Sequence, residues 1–316
     1  VDVAVGDEFP DVLADRLACH ADSVGDLALA HRRLAVGNLD EDLKPRCGPL
    51  VLERSGHIRQ FREREQKPLR PTGRQGLAPG AAMPAVDGIT FHRRGVFLTD
   101  AATLVVADLH VGRAEASNVS LPLGERTDLV SRLRELLVET TPETVVFAGD
   151  VLHRFNRVSD RVRDTVNALS TACRNADARP VFVRGNHDTM VDTLGPDVVP
   201  SYPVEGDPGT TICHGHETPT VAADRYVIGH DHPAITIEGQ RRPCFLVLPD
   251  AHRGADVLML PAFSRLAAGV TVNDARAGDL QSPLVDSLSD ARPVVYDADD
   301  GSTLQFPPLS EFRRLL

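Results

Sequence analysis

Short, continuous apolar runs punctuate the chain from residue 103 onward. Residues 103–107 (TLVVA), 144–148 (TVVFA), 180–183 (PVFV), 210–213 (TTIC) and 225–228 (RYVI) are four or five residues long and rich in β-branched types. Runs of that length and composition predict strands. A first strand is expected near Ile89. Between Gly124 and Thr140, Leu129, Leu133, Leu136 and Leu137 fall at i, i+4, i+7 and i+8, the apolar stripe of an amphipathic helix. Val162, Val166, Leu169 and Cys173 mark a second helix between Ser159 and Asp177. The expected order is strand, strand, helix, strand, helix, strand, followed mostly by strands. Later β-like runs are 235–237, 244–248, 257–260, 270–272, 294–296 and 303–306. Helices early and paired strands late predict an α/β architecture in four layers, two mixed sheets packed face to face with helices outside.

Residues 1–82 read differently. Gly/Pro/Arg-rich stretches (70–76, 78–80), a charged run at 59–67 and one short apolar periodicity at 12–34 offer little surface to bury. A poorly ordered N-terminal extension is expected there. Met83 follows directly, so it is the expected natural start, with 83–316 as the folded domain; a regulatory arm is the alternative.

Charge sharpens that division. Lys44 and Lys67 are the only lysines, and the net charge of −11 lies almost wholly after residue 82. An acidic, lysine-free, Asp-rich domain resembles proteins of salt-accumulating archaea, whose carboxylate surfaces are screened by salt. A GC-rich genome that encodes Arg in place of Lys would leave the same mark. The five cysteines (19, 47, 173, 213, 244) form no CxxC pair. With no secretory pattern and no apolar run of transmembrane length, a reducing cytoplasm is expected.

Each of the five early runs ends in metal-ligating residue types. They lead into Asp108-Leu-His110, Gly149-Asp150, Gly185-Asn-His-Asp188, His214-Gly-His216 and Gly229-His-Asp-His232. Strand ends that carry Asp, Asn and His are how an open α/β sheet builds a site along one edge. A lone histidine beside an apolar run is usually structural, but five such motifs in order are not explained that way. Hydrolysis of a phosphoester needs charge neutralised on the phosphate and a water activated. Two divalent ions held by mixed N and O donors, with one carboxylate able to bridge them, meet both needs.

The order D-x-H, G-D, G-N-H-D, H-G-H, G-H-x-H resembles the calcineurin-like metallophosphoesterase superfamily. Residues 107–112 (ADLHVG), 121–125 (LPLGE) and 260–263 (LPAF) look like the archaeal SbcD-related and bacterial DNA-ligase-associated phosphoesterases. The resemblance implies one metal on Asp108, His110, Asp150 and His232, and a second on Asp150, Asn186, His214 and His230, with Asp150 as the bridge. It implies a metal-bridging hydroxide as nucleophile, and His187 as a non-ligand that donates a hydrogen bond or proton to the phosphate or leaving oxygen. A nearby carboxylate such as Asp188 would orient His187. His216 stands as an alternative ligand to His214. His153, Arg184 and Arg113 are candidate substrate contacts, the arginines because a guanidinium forks onto phosphate. Mn2+ is the metal expected on family grounds, with Fe, Zn2+ or Ni2+ compatible with the donor types.

The implied substrate is a phosphodiester of nucleic-acid or nucleotide type, with a phosphomonoester or nucleotide pyrophosphate as runner-up. A non-catalytic scaffold should lack His187 or a ligand, and none is missing. An SbcC-like ATPase or another DNA-repair partner follows by analogy alone.

Overall fold

The computed structural model describes residues 86–116, 124–154, 156–194, 197–207 and 209–314. The expected N-terminal extension, the short helix at 12–34 and the start at Met83 lie outside these residues.

Two sheets dominate. The first is built from β1 (Ile89–His92), β2 (Gly95–Leu98), β3 (Thr103–Val106), β4 (Thr144–Ala148), β5 (Arg179–Val183) and β6 (Val198–Val199), adjacent in that order. β1 to β3 pair antiparallel, and β3 to β6 pair parallel. Helices α1 (Arg113–Ala116), α2 (Glu125–Thr140) and α3 (Asp160–Arg174) fill the crossovers between the parallel strands. The second half of the chain contributes β7 (Ser201–Pro203), β8 (Thr210–Cys213), β9 (Arg225–Ile228), β10 (Ala234–Ile237), β11 (Gln240–Pro243), β12 (Phe245–His252), β13 (Ala255–Met259), β14 (Arg292–Tyr296), β15 (Thr303–Gln305) and the one-turn helix α4 (Leu309–Phe312). β10 and β11 form a separate hairpin. The rest make a seven-stranded sheet in the order β15-β14-β12-β13-β9-β8-β7, parallel at β8–β9–β13 and antiparallel elsewhere.

The apolar runs are continuous because both faces of each central strand are covered. In β4, Val145 and Phe147 face α2 and α3, while Val146 and Ala148 face the second sheet. Leu104 and Val106 against Val105 and Ala107 repeat this division in β3. Phe245, Val247, Leu258 and Leu260 meet the first sheet across the inner core. On the helical side, Leu129, Leu133, Leu136 and Leu137 of α2 and Val162, Val166, Leu169 and Cys173 of α3 are all buried. Ser159 starts α3 as its N-cap, its Oγ accepting from Val162 N at 3.2 Å.

The outermost layer on the other side is built mainly from irregular chain. Leu280, Leu284, Val285 and Leu288, with Leu309 and Phe312 of α4, cover the second sheet's outer face. Residues 270–272, expected as a strand, make only a single bridge, Ala234 to Thr271. Three strands, not two, precede the first helix: β2 follows β1 across a turn at Arg93 and Arg94, too tight for the hydrophobic pattern to separate. Among the described residues no helix is long and apolar enough to cross a membrane.

Backbone hydrogen bonds stitch the strand ends of both sheets together. Asp108 N donates to Gly149 O (3.1 Å), His110 N to Asp150 O (2.9 Å) and Gly229 N to His214 O (3.1 Å). Phe263 N donates to Ala107 O at 2.7 Å and Ser264 N to Asp108 O at 3.2 Å. The five motif loops therefore converge on one edge.

Candidate metal centre

Two groups of donor atoms meet on either side of Asp150. In the first, His214 Nε2 lies 3.3 Å from Asp150 Oδ1, 3.1 Å from Asn186 Oδ1 and 3.2 Å from His230 Nδ1. In the second, His110 Nε2 lies 3.3 Å from His232 Nε2 and 4.0 Å from Asp150 Oδ2. His232 Nε2 is 3.2 Å from Asp108 Oδ1. The two oxygens of Asp150 thus turn toward different imidazole clusters. Asp108, His110 and His232 form one group of potential cation ligands, and Asp108, Asp150 and His214 another.

The local backbone that presents these groups is costly. Asp108, His110, Asp150, His230 and His232 all have positive φ, between 46° and 77°. Each non-glycine residue in that region costs about 1–3 kcal/mol, so the surrounding packing must hold it there. Two glycines make the close approach feasible. Gly149 has φ 84°, and a Cβ there would run into the His214 ring; a Cβ at Gly185 would meet the backbone and carboxylate of Asp150. A third device is Asp188. Fully buried, it accepts hydrogen bonds from Gly185 N (2.9 Å), Leu152 N (2.8 Å) and Val151 N (3.2 Å), locking the Asp150 loop to the Gly185 loop.

Electrostatics point the same way. Asp108 and Asp150 are almost completely buried, and buried carboxylates need compensating charge. Burial opposes ionisation of Asp150, but the hydrogen bond and charge of His214 outweigh it and hold the carboxyl below the ordinary range. Burial likewise opposes protonation of His214, yet Asp150 and Asp108 push its pKa up to about 9. The negative field that favours a proton on His214 also favours a divalent cation, which would displace that proton. His110, by contrast, is held down to about 4 by burial despite its acidic neighbours, so it is a neutral nitrogen donor. His214 Nδ1 sits 3.1 Å from Ala148 O, the outer hydrogen bond that leaves Nε2 facing the cluster. Carboxylate, amide and imidazole atoms crowded at 3.1–3.3 Å suit a dinuclear centre.

His187 stands beside this arrangement. Its backbone N donates to Asp150 Oδ1 at 2.9 Å, and its Nε2 lies 3.8 Å from Asp150 Oδ2. Its Nδ1 is 2.9 Å from the carbonyl of His153. The group that orients Nδ1 is therefore that carbonyl, a correction to the expectation for Asp188, whose oxygens are taken by three backbone amides. The His153 ring stacks near His187 at 6.1 Å, and with His110 the pair makes a further cluster of potential ligands. Burial lowers the pKa of His153, and the charges of Arg113, His187 and Arg154 lower it further. Arg184 is committed elsewhere: it forks onto Asp192 with two contacts of 2.7 Å and donates to Asp188 O at 3.2 Å. The His216 ring lies 5.2 Å from that of His214 and 6.1 Å from that of His230. The carbonyls of Ala148 and His153 were invisible to sequence reasoning, since a main-chain partner leaves no residue-type signal.

Residues 102–233 match the family model of calcineurin-like phosphoesterases. Among solved structures, the chain is similar to the nuclease MPE from Pseudomonas putida, at 23% identity and a TM-score of 0.48, over 68% of this chain and 92% of that one. It is also similar to Yfce, a phosphoesterase from E. coli, at 17% identity and a TM-score of 0.34, over 65% of this chain and 98% of that one. No curated protein matches the chain in sequence.

Proposed function

We propose that this site hydrolyses phosphodiesters of nucleotide or nucleic-acid type with two divalent metal ions, Mn2+ foremost. The observation that carries the reading is Asp150: one carboxylate turns its two oxygens to two imidazole clusters, inside a segment that matches the calcineurin-like phosphoesterase model. Asp108, His110 and His232 would hold one ion, Asn186, His214 and His230 the other, and Asp150 both. Two ions bound there supply the charge that neutralises a phosphate and activates water.

The chain's own side chains do the rest. Asp108 accepts from His230 N at 3.0 and 3.2 Å, so a carboxylate in one ligand set fixes a histidine loop of the other. His187, about a quarter exposed, keeps Nδ1 on the His153 carbonyl and turns Nε2 into the site. From Nε2 it delivers a proton to the leaving oxygen of the ester. Arg113 and Arg154 add positive charge at the His153 rim, a favourable field for an anionic ester.

The test is a hydrolysis screen with Mn2+ at low and multimolar KCl. It compares bis(p-nitrophenyl) phosphate, p-nitrophenyl phosphate, cyclic nucleotides and labelled single- and double-stranded DNA. Diester cleavage that disappears with EDTA and returns with Mn2+ is the expected result. Preference for the monoester would replace the diester reading, and no metal-dependent cleavage of any substrate would overturn the hydrolase.

A further inference from the structure

Asp231 lies between His230 and His232, the assigned ligands of two different ions, yet it takes no part in either ligand set. It is 3% exposed, and both its carboxylate oxygens are taken by main-chain amides of residues 281 and 282. Oδ1 accepts from Gln281 N at 2.7 Å and Oδ2 from Ser282 N at 3.1 Å. The main chain of Asp231 makes a second attachment, its carbonyl accepting from Val270 N at 3.1 Å. From there the segment runs beside the ligand loop. Ala234 N donates to Val270 O (2.9 Å) and Val272 N to Ala234 O (2.8 Å). The Asn273 side chain then closes both hydrogen bonds with the backbone of Thr236, at 2.8 and 2.9 Å. Residues 270–288 have almost no regular structure, so these bonds, and burial of side chains such as Leu280, Leu284 and Leu288, fix their course.

We infer that Asp231 is a positioning residue that locks residues 281–282 onto the His230–His232 loop, so that metal binding and the docking of this C-terminal segment stabilise each other. This coupling rests on the dinuclear reading and on the backbone geometry of the loop. His230 and His232 both have left-handed backbone, at φ 77° and 51°, a conformation the loop does not adopt without support. One support is the Asp108 carboxylate below His230 N. Another is the pair of amides, Gln281 N and Ser282 N, that grip the Asp231 carboxylate in between. Loss of those amides loosens the backbone that carries both histidines; outer partners that orient metal ligands typically change metal affinity by about 10- to 100-fold, the scale expected for Asp231. Coupling between sites is reciprocal, so metal must tighten the 281–282 attachment by the factor that Asp231 tightens metal.

Two measurements on the full-length chain test this. Hydrogen–deuterium exchange of the wild type, with and without Mn2+, should show the amides of Gln281 and Ser282 exchanging about 10-fold more slowly when metal is bound. Calorimetric Mn2+ titration of Asp231→Ala and Asp231→Asn should show affinity weakened about 10-fold or more in the alanine variant. Asparagine, which retains one acceptor oxygen, should lose less. Exchange at 281–282 indifferent to Mn2+ in the wild type overturns the inference without any variant, and so does an Asp231→Ala protein that binds Mn2+ as tightly as the parent. A wild type that binds no divalent ion sinks the phosphoesterase reading and the coupling together; two ions bound without coupling sinks the coupling alone.

Discussion

Asp150 is the side chain on which both donor clusters depend, which makes it the most exposed to substitution. Asp150→Asn keeps the shape but removes the charge that offsets two cations. Metal content by plasma mass spectrometry should fall from two ions per chain to one or none, and a variant that keeps two refutes the bridge. Gly149 carries a different kind of constraint. Gly149→Ala adds a Cβ against the His214 ring at positive φ, so it should cost about 1–3 kcal/mol and weaken metal binding, read by denaturant titration and calorimetry. The residues proposed as ligands stand out in the sequence because each follows a buried strand at short spacing. Asp188 was legible as important but not in its role. Proximity to His187 in sequence implied a partnership, whereas the carboxylate reaches Val151 N and Leu152 N in a loop brought near only by folding. Arg184 is a similar case, its guanidinium taken by Asp192 eight residues further on.

At the scale of elements, strands covered on both sides announced themselves, and strands made by pairing alone did not. β4, β8 and β9 occupy the ranges that their apolar runs mark out. β11 (QRRP) has no apolar residue except proline and exists because it pairs with β10. Residues 270–272 carry a strand's composition, but their neighbours offer a single bridge. Two substitutions probe the layer that supports β4. Phe147 is fully buried and stacked on Phe182 at 4.7 Å between ring centroids, so Phe147→Ala should destabilise by about 3–5 kcal/mol. Ser159→Ala removes the N-cap of α3 and should cost about 1 kcal/mol, with no change in metal stoichiometry. Urea unfolding separates the two magnitudes.

For the molecule as a whole, the proposed ligands come from both sheets, so metal binding and folding should be thermodynamically linked. Mn2+ at about 100 times its Kd should add about 2.7 kcal/mol of stability, and EDTA should remove it. For a domain of this size each kcal/mol shifts Tm by about 2–4 °C, well within reach of differential scanning calorimetry. An unchanged Tm would mean that the clusters do not hold metal in the folded state. On the proposed mechanism, His187 beside the two clusters acts as the proton donor. The most direct test of that role is the turnover of bis(p-nitrophenyl) phosphate by His187→Ala protein carrying two Mn2+ per chain. Metal content should stay unchanged while kcat falls about 10²- to 10⁴-fold; undiminished turnover at full metal loading would refute the role of His187.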